Sequence, residues 1–111
     1  MVQTNCEAED LVDLERGTVI AAMPTSRARR SGTTFWLGEV QSFNPGALEY
    51  KVLWFSPAMS KSNIITWEYT DNATSYGFVP LQAILAVDIR FTENMIITEL
   101  SQAQIDAAIV M

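Results

Sequence analysis

Short runs of β-branched and aromatic residues recur along the middle of the chain, and turn-forming residues bound each of them. Such runs favour strands, because branched and aromatic side chains pack well on a pleated, half-buried surface. Ser56-Pro57 is expected to end one of these runs, and the polar stretch 71–77 indicates a loop. The pattern predicts five strands, over residues 18–23, 35–43, 47–55, 64–70 and 85–91.

Three short signals predict the turns and helices between and after these runs. Asn44-Pro45-Gly46 predicts a hairpin between the second and third strands, because proline presets φ and glycine accepts a positive φ. Pro80, within residues 78–84, suits the first position of a single helical turn. Ser101 is the expected N-cap of a short helix over 102–110, whose apolar residues recur at helical spacing.

Together these elements predict a mainly β fold, a small five-stranded antiparallel barrel with a short C-terminal helix. Such a barrel closes to hide its strand edges and buries one face of each strand. With 111 residues the chain suits one domain with one modest core. We expect an acidic N-terminal leader over residues 1–16, the barrel over 17–91, and a C-terminal segment with the helix over 92–111.

All three tryptophans lie within the predicted strands. Gly38, in the middle of the second strand, predicts a bend or a close backbone approach. A barrel of this size encloses only a few large side chains, so some aromatic residues should lie at a rim or on the surface. We expect this placement for Trp67 and Tyr69, whereas Trp36 and Trp54 are expected in core or half-buried positions unless they form a pocket.

The composition excludes several classes of chemistry. The chain has no histidine and a single cysteine, Cys6. It therefore cannot form a Ser-His-Asp or Cys-His site, an ordinary structural zinc site or an internal disulfide. Its carboxylates show no paired placement among apolar residues that would indicate acid–base catalysis. We predict a protein that is not an enzyme and that uses no cofactor or metal.

The net charge of −6, from 13 acidic and 7 basic residues, favours a basic partner and disfavours binding to nucleic acid. Three basic residues cluster in one predicted loop, which is either solvated and mobile or serves as a phosphate or RNA contact or a nuclear-import element: Arg27, Arg29 and Arg30. Every apolar run is shorter than the ~20 residues that span a bilayer, and the acidic N-terminus is unlike a signal peptide. We expect an intracellular protein without membrane contact.

Residues 17–91 resemble the SH3-like barrels of the Tudor, chromo-barrel and BAH type. The resemblance is carried by GTVIAAM, FWLGEV, YKVLWFSP and VPLQAIL, the last as the turn before the final strand. It implies a five-stranded SH3-like barrel that reads methylated lysine or arginine on a histone or other tail. Trp36 matches one position of the aromatic cage, Trp54 or Phe55 a second, and Trp67 or Tyr69 would form the third wall.

Three functions follow as hypotheses. The first is a nuclear chromatin reader, a non-catalytic module that binds a basic peptide such as a histone tail, with or without methyl-lysine. Glu68 and Asp71 would supply negative charge beside the aromatic rings. The second is a protein–protein docking or oligomerisation domain whose apolar segment 95–111 meets a partner. The third is a nucleic-acid-binding barrel that uses the arginine cluster and exposed aromatic residues.

Overall fold

The computed structural model describes residues 11–25, 34–69 and 76–110, with Tyr69 and Val110 described by their backbone alone. The fold is mainly β, an antiparallel sheet with one C-terminal helix. Its strands are β1 (Val19–Ala22), β2 (Trp36–Asn44), β3 (Glu49–Met59), β4 (Ile65–Tyr69), β5 (Tyr76–Pro80) and β6 (Ile84–Ala86). A 3₁₀ turn spans Leu81–Ala83, and the helix α1 spans Glu99–Val110.

The sheet is ordered β4, β3, β2, β1 and β6, and β5 pairs with β3 as well. β4 pairs with the second part of β3, from Phe55 onward, and β5 pairs with the first part, up to Leu53. The two strands therefore follow one another along β3, with only Trp54 between their partners on that strand.

The hairpin between β2 and β3 is confirmed. Its four-residue connection is closed at Asn44, whose Oδ1 accepts a hydrogen bond from the Gly46 amide at 3.0 Å. Leu48, the last residue before β3, has a φ of 52°, which is the left-handed region. The register shifts by one residue between Val40 and Ser42, so a β-bulge interrupts this pairing.

β5 is a strand where the sequence predicts a loop and a helical turn, so the prediction of five strands is wrong. The turn itself is confirmed at Leu81–Ala83, with Pro80 as the residue before it. Gly77 and Pro80 are residue types that strands disfavour. They are tolerated because β5 pairs with β3 alone among the described strands, and because a tryptophan ring fills the space above Gly77.

β3 continues through Pro57 to Met59, so the predicted end of this strand at Ser56-Pro57 is wrong. Pro57 lies opposite Trp67, whose backbone N–H donates to the Met95 carbonyl at 2.9 Å and not to β3. The pair is therefore a non-hydrogen-bonded one, at which the missing N–H of proline removes no ladder bond.

Both faces of β1 are covered, which explains why this strand is apolar throughout. Ile20 and Ala22 belong to one cluster, the first core, and Ala21 belongs to another, the second core. The first core includes Leu11 from the predicted leader, whose carbonyl accepts a hydrogen bond from the Tyr50 hydroxyl. The second core is covered by the C-terminal segment through Ile105, which is fully buried.

The helix α1 begins three residues before the predicted start, and Ser101 is not its N-cap. The Oγ1 of Thr98 accepts the backbone N–H of Ser101 at 3.3 Å, which is the pattern of an N-cap bond. Ser101 is buried instead, and its Oγ accepts the backbone N–H of Arg90 at 2.8 Å. The hydroxyl thus ties the helix to the segment that follows β6.

Candidate functional site

A cavity of about 280 Å³ lies beside the sheet, and aromatic side chains form most of its wall. We call it the aromatic cavity. Its lining residues are Phe35, Trp36, Trp54, Phe55, Pro57 and Trp67. Four of them are predicted site residues. The sequence does not predict Phe35 and Pro57 at the site, although Phe35 directly precedes the first predicted cage residue.

The cavity lies where β2 and β3 stop pairing with each other. Their described pairing ends at Gly38 and Trp54. Toward Trp36, β2 pairs with β1, and from Phe55 onward β3 pairs with β4. Because β2 and β3 are no longer paired beyond this point, there is space between them, and the neighbours Trp54 and Phe55 both line it.

Two glycines on neighbouring strands make room for the indole of Trp54. A Cβ on Gly77 would lie 2.3 Å from Nε1 of Trp54, and a Cβ on Gly38 would lie 3.2 Å from its Cε3. The same Cβ on Gly38 would lie 3.0 Å from the Val52 side chain. The ring therefore lies across the backbones of β2 and β5, and the close approach that the sequence predicts at Gly38 is confirmed.

The rings of the cavity form two contacting pairs. Trp36 and Trp54 meet edge to face, with centroids 5.3 Å apart and an interplanar angle of 71°. Phe35 and Trp67 lie 5.7 Å apart at 31°. The first pair forms a corner in the edge-to-face arrangement that aromatic pairs favour.

Trp67 is buried, with 6% of its surface exposed, so its expected placement at the rim or surface is wrong. The C-terminal segment covers Trp67. The backbone N–H of Trp67 donates to the Met95 carbonyl, and its ring packs in the second core with Ile105. Phe55 is also 6% exposed, and Phe91 supports its ring at a centroid distance of 5.3 Å. Trp36 and Trp54 are half-buried, as expected.

The charged residues predicted for the site are not brought to the cavity by the described part of the chain. Glu68 is exposed, lies opposite Ser56 and does not line the cavity. Of the described residues that line the cavity, none is charged. The side chain of Tyr69, the residue Asp71 and the arginine cluster (Arg27, Arg29 and Arg30) lie outside the described residues.

A second cavity, of about 420 Å³, adjoins the first. We call it the aliphatic cavity, because isoleucines form half of its wall. Its lining residues are Phe35, Asn63, Ile64, Ile65, Trp67, Ile96, Ile97 and Gln102. Phe35 and Trp67 line both cavities, so this ring pair is a shared wall between them.

The described residues contain no group of three or more Cys, Asp and Glu side chains that could hold a metal ion. Within those same ranges, no helix has the length and apolar character needed to cross a membrane. The residues that line the two cavities offer aromatic faces, aliphatic side chains and the amides of Asn63 and Gln102.

Comparison with known proteins gives no relative from which a role for these cavities could be taken. No protein-family model matches the chain, and neither a curated protein nor a solved structure matches it.

Proposed function

We propose that this protein is a non-catalytic binding module that takes a basic side chain of a peptide, methyl-lysine above all, into the aromatic cavity. The observation that carries the proposal is the wall of the cavity, in which five of six lining residues are aromatic. A cation within about 6 Å of a ring centroid is attracted by the negative face of the ring. Trp36 and Trp54 are half-buried and line the cavity, so part of each indole is accessible to such a guest.

The volume of the cavity and the net charge of the protein support the same proposal. The volume of the aromatic cavity is just below the ~300–1,000 Å³ typical of small-molecule pockets, which suits one side chain better than a large ligand. The net charge of −6 would attract a basic peptide and speed its association. Histone tails belong to this class of peptide, and a nuclear location forms part of the proposal.

We also propose that the sheet is an SH3-like barrel of the Tudor or chromo-barrel type. Two features support this: a 3₁₀ turn directly precedes β6, and β6 returns to pair with β1. An experimental structure in which the sheet stays open, with a wide gap between the two ends of its strand order, β4 and β6, would contradict the proposed barrel.

Isothermal titration with three peptides tests the proposed function. They carry lysine, trimethyl-lysine, or an uncharged carbon analogue of trimethyl-lysine at the same position. A cation–π contact contributes about 0.5–2 kcal/mol, so the charged methylated peptide should bind roughly twofold to thirtyfold more tightly than its uncharged analogue. Trp54→Ala should abolish the difference. Absence of binding by all three peptides at millimolar concentration would refute the proposal.

A second candidate function is docking of an uncharged apolar side chain from a protein partner in the same cavity. It is favoured by the absence of charge among the described lining residues. Equal affinity for trimethyl-lysine and its uncharged analogue would support this candidate. The segment 95–111, which the sequence predicts as a docking surface, packs partly on the protein itself, because Ile105 is fully buried and Met95 and Ile97 pack on the second core. Leu100 remains 76% exposed.

A further inference from the structure

The aliphatic cavity adjoins the aromatic cavity across a wall only one ring pair thick. That wall consists of Phe35 and Trp67, whose centroids are 5.7 Å apart. We propose that the aliphatic cavity is a second subsite for the same peptide, which selects leucine, isoleucine or valine two or three residues from the methylated lysine. This inference rests on the proposed function of the aromatic cavity.

The walls of the aliphatic cavity suit a branched aliphatic side chain. Four isoleucines line it, and two of them, Ile64 and Ile65, are 45% and 41% exposed. Contact with an aliphatic guest would remove this surface from water, which is favourable in proportion to the apolar area buried. The amides of Asn63 and Gln102 also line the cavity and can hydrogen-bond to the peptide backbone.

The shared wall of the two cavities allows one extended peptide to reach both. Ile65 lines the aliphatic cavity, whereas Trp67, two residues further along β4, borders both. Two residues of a strand advance by about 6.4–6.8 Å and bring their side chains to the same face. A bound extended peptide would advance by about 3.2–3.4 Å per residue, so a side chain two or three residues from the methylated lysine is within reach of the adjoining cavity.

The charge beside the aliphatic cavity also favours a basic peptide. Gln102, which lines the cavity, donates a hydrogen bond from Nε2 to the Asp106 carboxylate at 2.8 Å. This contact places a negative charge one side chain away from the cavity. A lysine or arginine next to the aliphatic residue of the peptide would be attracted there, in line with the net charge of the protein.

A positional scan tests the inference. Peptides carry trimethyl-lysine at a fixed position in a background of glycine, serine and arginine, and one leucine is moved through the three positions on either side. Fluorescence anisotropy measures each Kd. We expect one position, two or three residues from the methylated lysine, at which leucine tightens binding by about tenfold over glycine.

Variants then assign that preference to the aliphatic cavity. Ile64→Ser, or Ile96→Ser as a second variant, should reduce the leucine-to-glycine affinity ratio to about one. Phe78→Ser is the matched control, because Phe78 is 61% exposed and lines neither cavity, and it should keep the full ratio. Circular dichroism confirms that each variant is folded.

Two failures have different meanings. If leucine has no effect at any position while trimethyl-lysine still binds through Trp54, the second subsite is refuted and the proposed function stands. If no peptide with trimethyl-lysine binds, the proposed function is refuted, and this inference is refuted with it.

Discussion

Replacing Gly77 by alanine perturbs the wall of the aromatic cavity through a single methyl group. The new Cβ would lie 2.3 Å from Nε1 of Trp54, 2.9 Å from Cε2 and 3.1 Å from Cζ2. Ordinary contact begins at 3.4 Å, so the indole must shift by about 1 Å. Backbone strain plays no part, because Gly17 is the glycine with a positive φ among the described residues.

The expected loss of stability follows from two opposing effects. Overpacking a filled site costs about 1–3 kcal/mol, whereas replacing glycine by alanine restricts the unfolded chain and returns about 0.4–1 kcal/mol. We therefore expect Gly77→Ala to lower the free energy of unfolding by about 1–2 kcal/mol. The affinity for trimethyl-lysine should fall as well, because the displaced ring no longer forms the corner with Trp36.

Urea denaturation measures the loss of stability, and the indole N–H signal of Trp54 reports the shift of the ring. Gly46→Ala is the matched control, because the nearest atom to its Cβ is Asn44 Oδ1 at 3.4 Å, so its stability should stay within about 0.5 kcal/mol of the original. In a Trp54→Leu background the smaller side chain should relieve the overlap, so Gly77→Ala should cost less there. A Gly77→Ala variant with unchanged stability and an unchanged Trp54 signal would refute this reasoning.

Three further variants test the fold around the site. Leu48→Gly should raise the free energy of unfolding by about 0.5 kcal/mol in urea, because Leu48 has a φ of 52° and is 52% exposed. Tyr50→Phe should lower it by about 1–2 kcal/mol and speed hydrogen exchange of the Leu14 amide, which donates to the Tyr50 hydroxyl at 3.0 Å. Ser101→Ala should lower the melting temperature, with a cost of about 1–3 kcal/mol, because the Arg90 N–H loses its acceptor.

Each of these variants has a control in the same chain. Leu48→Ala keeps the left-handed strain and should not stabilise the protein. Tyr76→Phe alters a tyrosine that is 43% exposed, and Ser62→Ala alters an exposed serine, so both should be nearly neutral. If Tyr50→Phe or Ser101→Ala were as mild as its control, the hydrogen bond assigned to that hydroxyl would not contribute to stability as we expect.

The strands that the sequence predicts well are those whose local residues carry the signal. β1, β2 and the first part of β3 are rich in β-branched and aromatic residues, and Asn44-Pro45-Gly46 marks the turn between the last two. β5 is different, because Gly77 and Pro80 disfavour a strand. Its conformation depends on pairing with β3 and on the ring of Trp54, and neither is visible in a local window of sequence.

The site shows the same division between local and tertiary information. The aromatic residues of the predicted strands identify Trp36, Trp54 and Trp67 as candidates, and all three line the cavity. Phe35 is not predicted, because side-chain alternation places it on the opposite face from Trp36. In the structure Phe35 lies before β2 begins at Trp36, and the pairing of β2 with β3 already ends at Gly38, so strand alternation does not decide its position.

The alternation along β4 also bears on the charge expected at the site. Glu68 follows Trp67 directly and therefore points to the other face of the strand, where it is exposed. The sequence already contains this information for β4, since side chains alternate between the two faces of a regular strand. Recognition of a cation by the described residues would thus depend on the rings more than on a carboxylate.

The central claim is that the aromatic cavity binds a methylated ammonium group, and an NMR titration of the three tryptophan indole N–H signals tests it most directly. Trp→Phe variants assign the signals, and the amide of Phe78, which lines neither cavity, is the internal reference. With a trimethyl-lysine peptide we expect saturable shifts of the Trp36 and Trp54 indoles, smaller shifts with its uncharged analogue, and none at Phe78. Indole signals that stay unmoved at millimolar trimethyl-lysine peptide would contradict the claim.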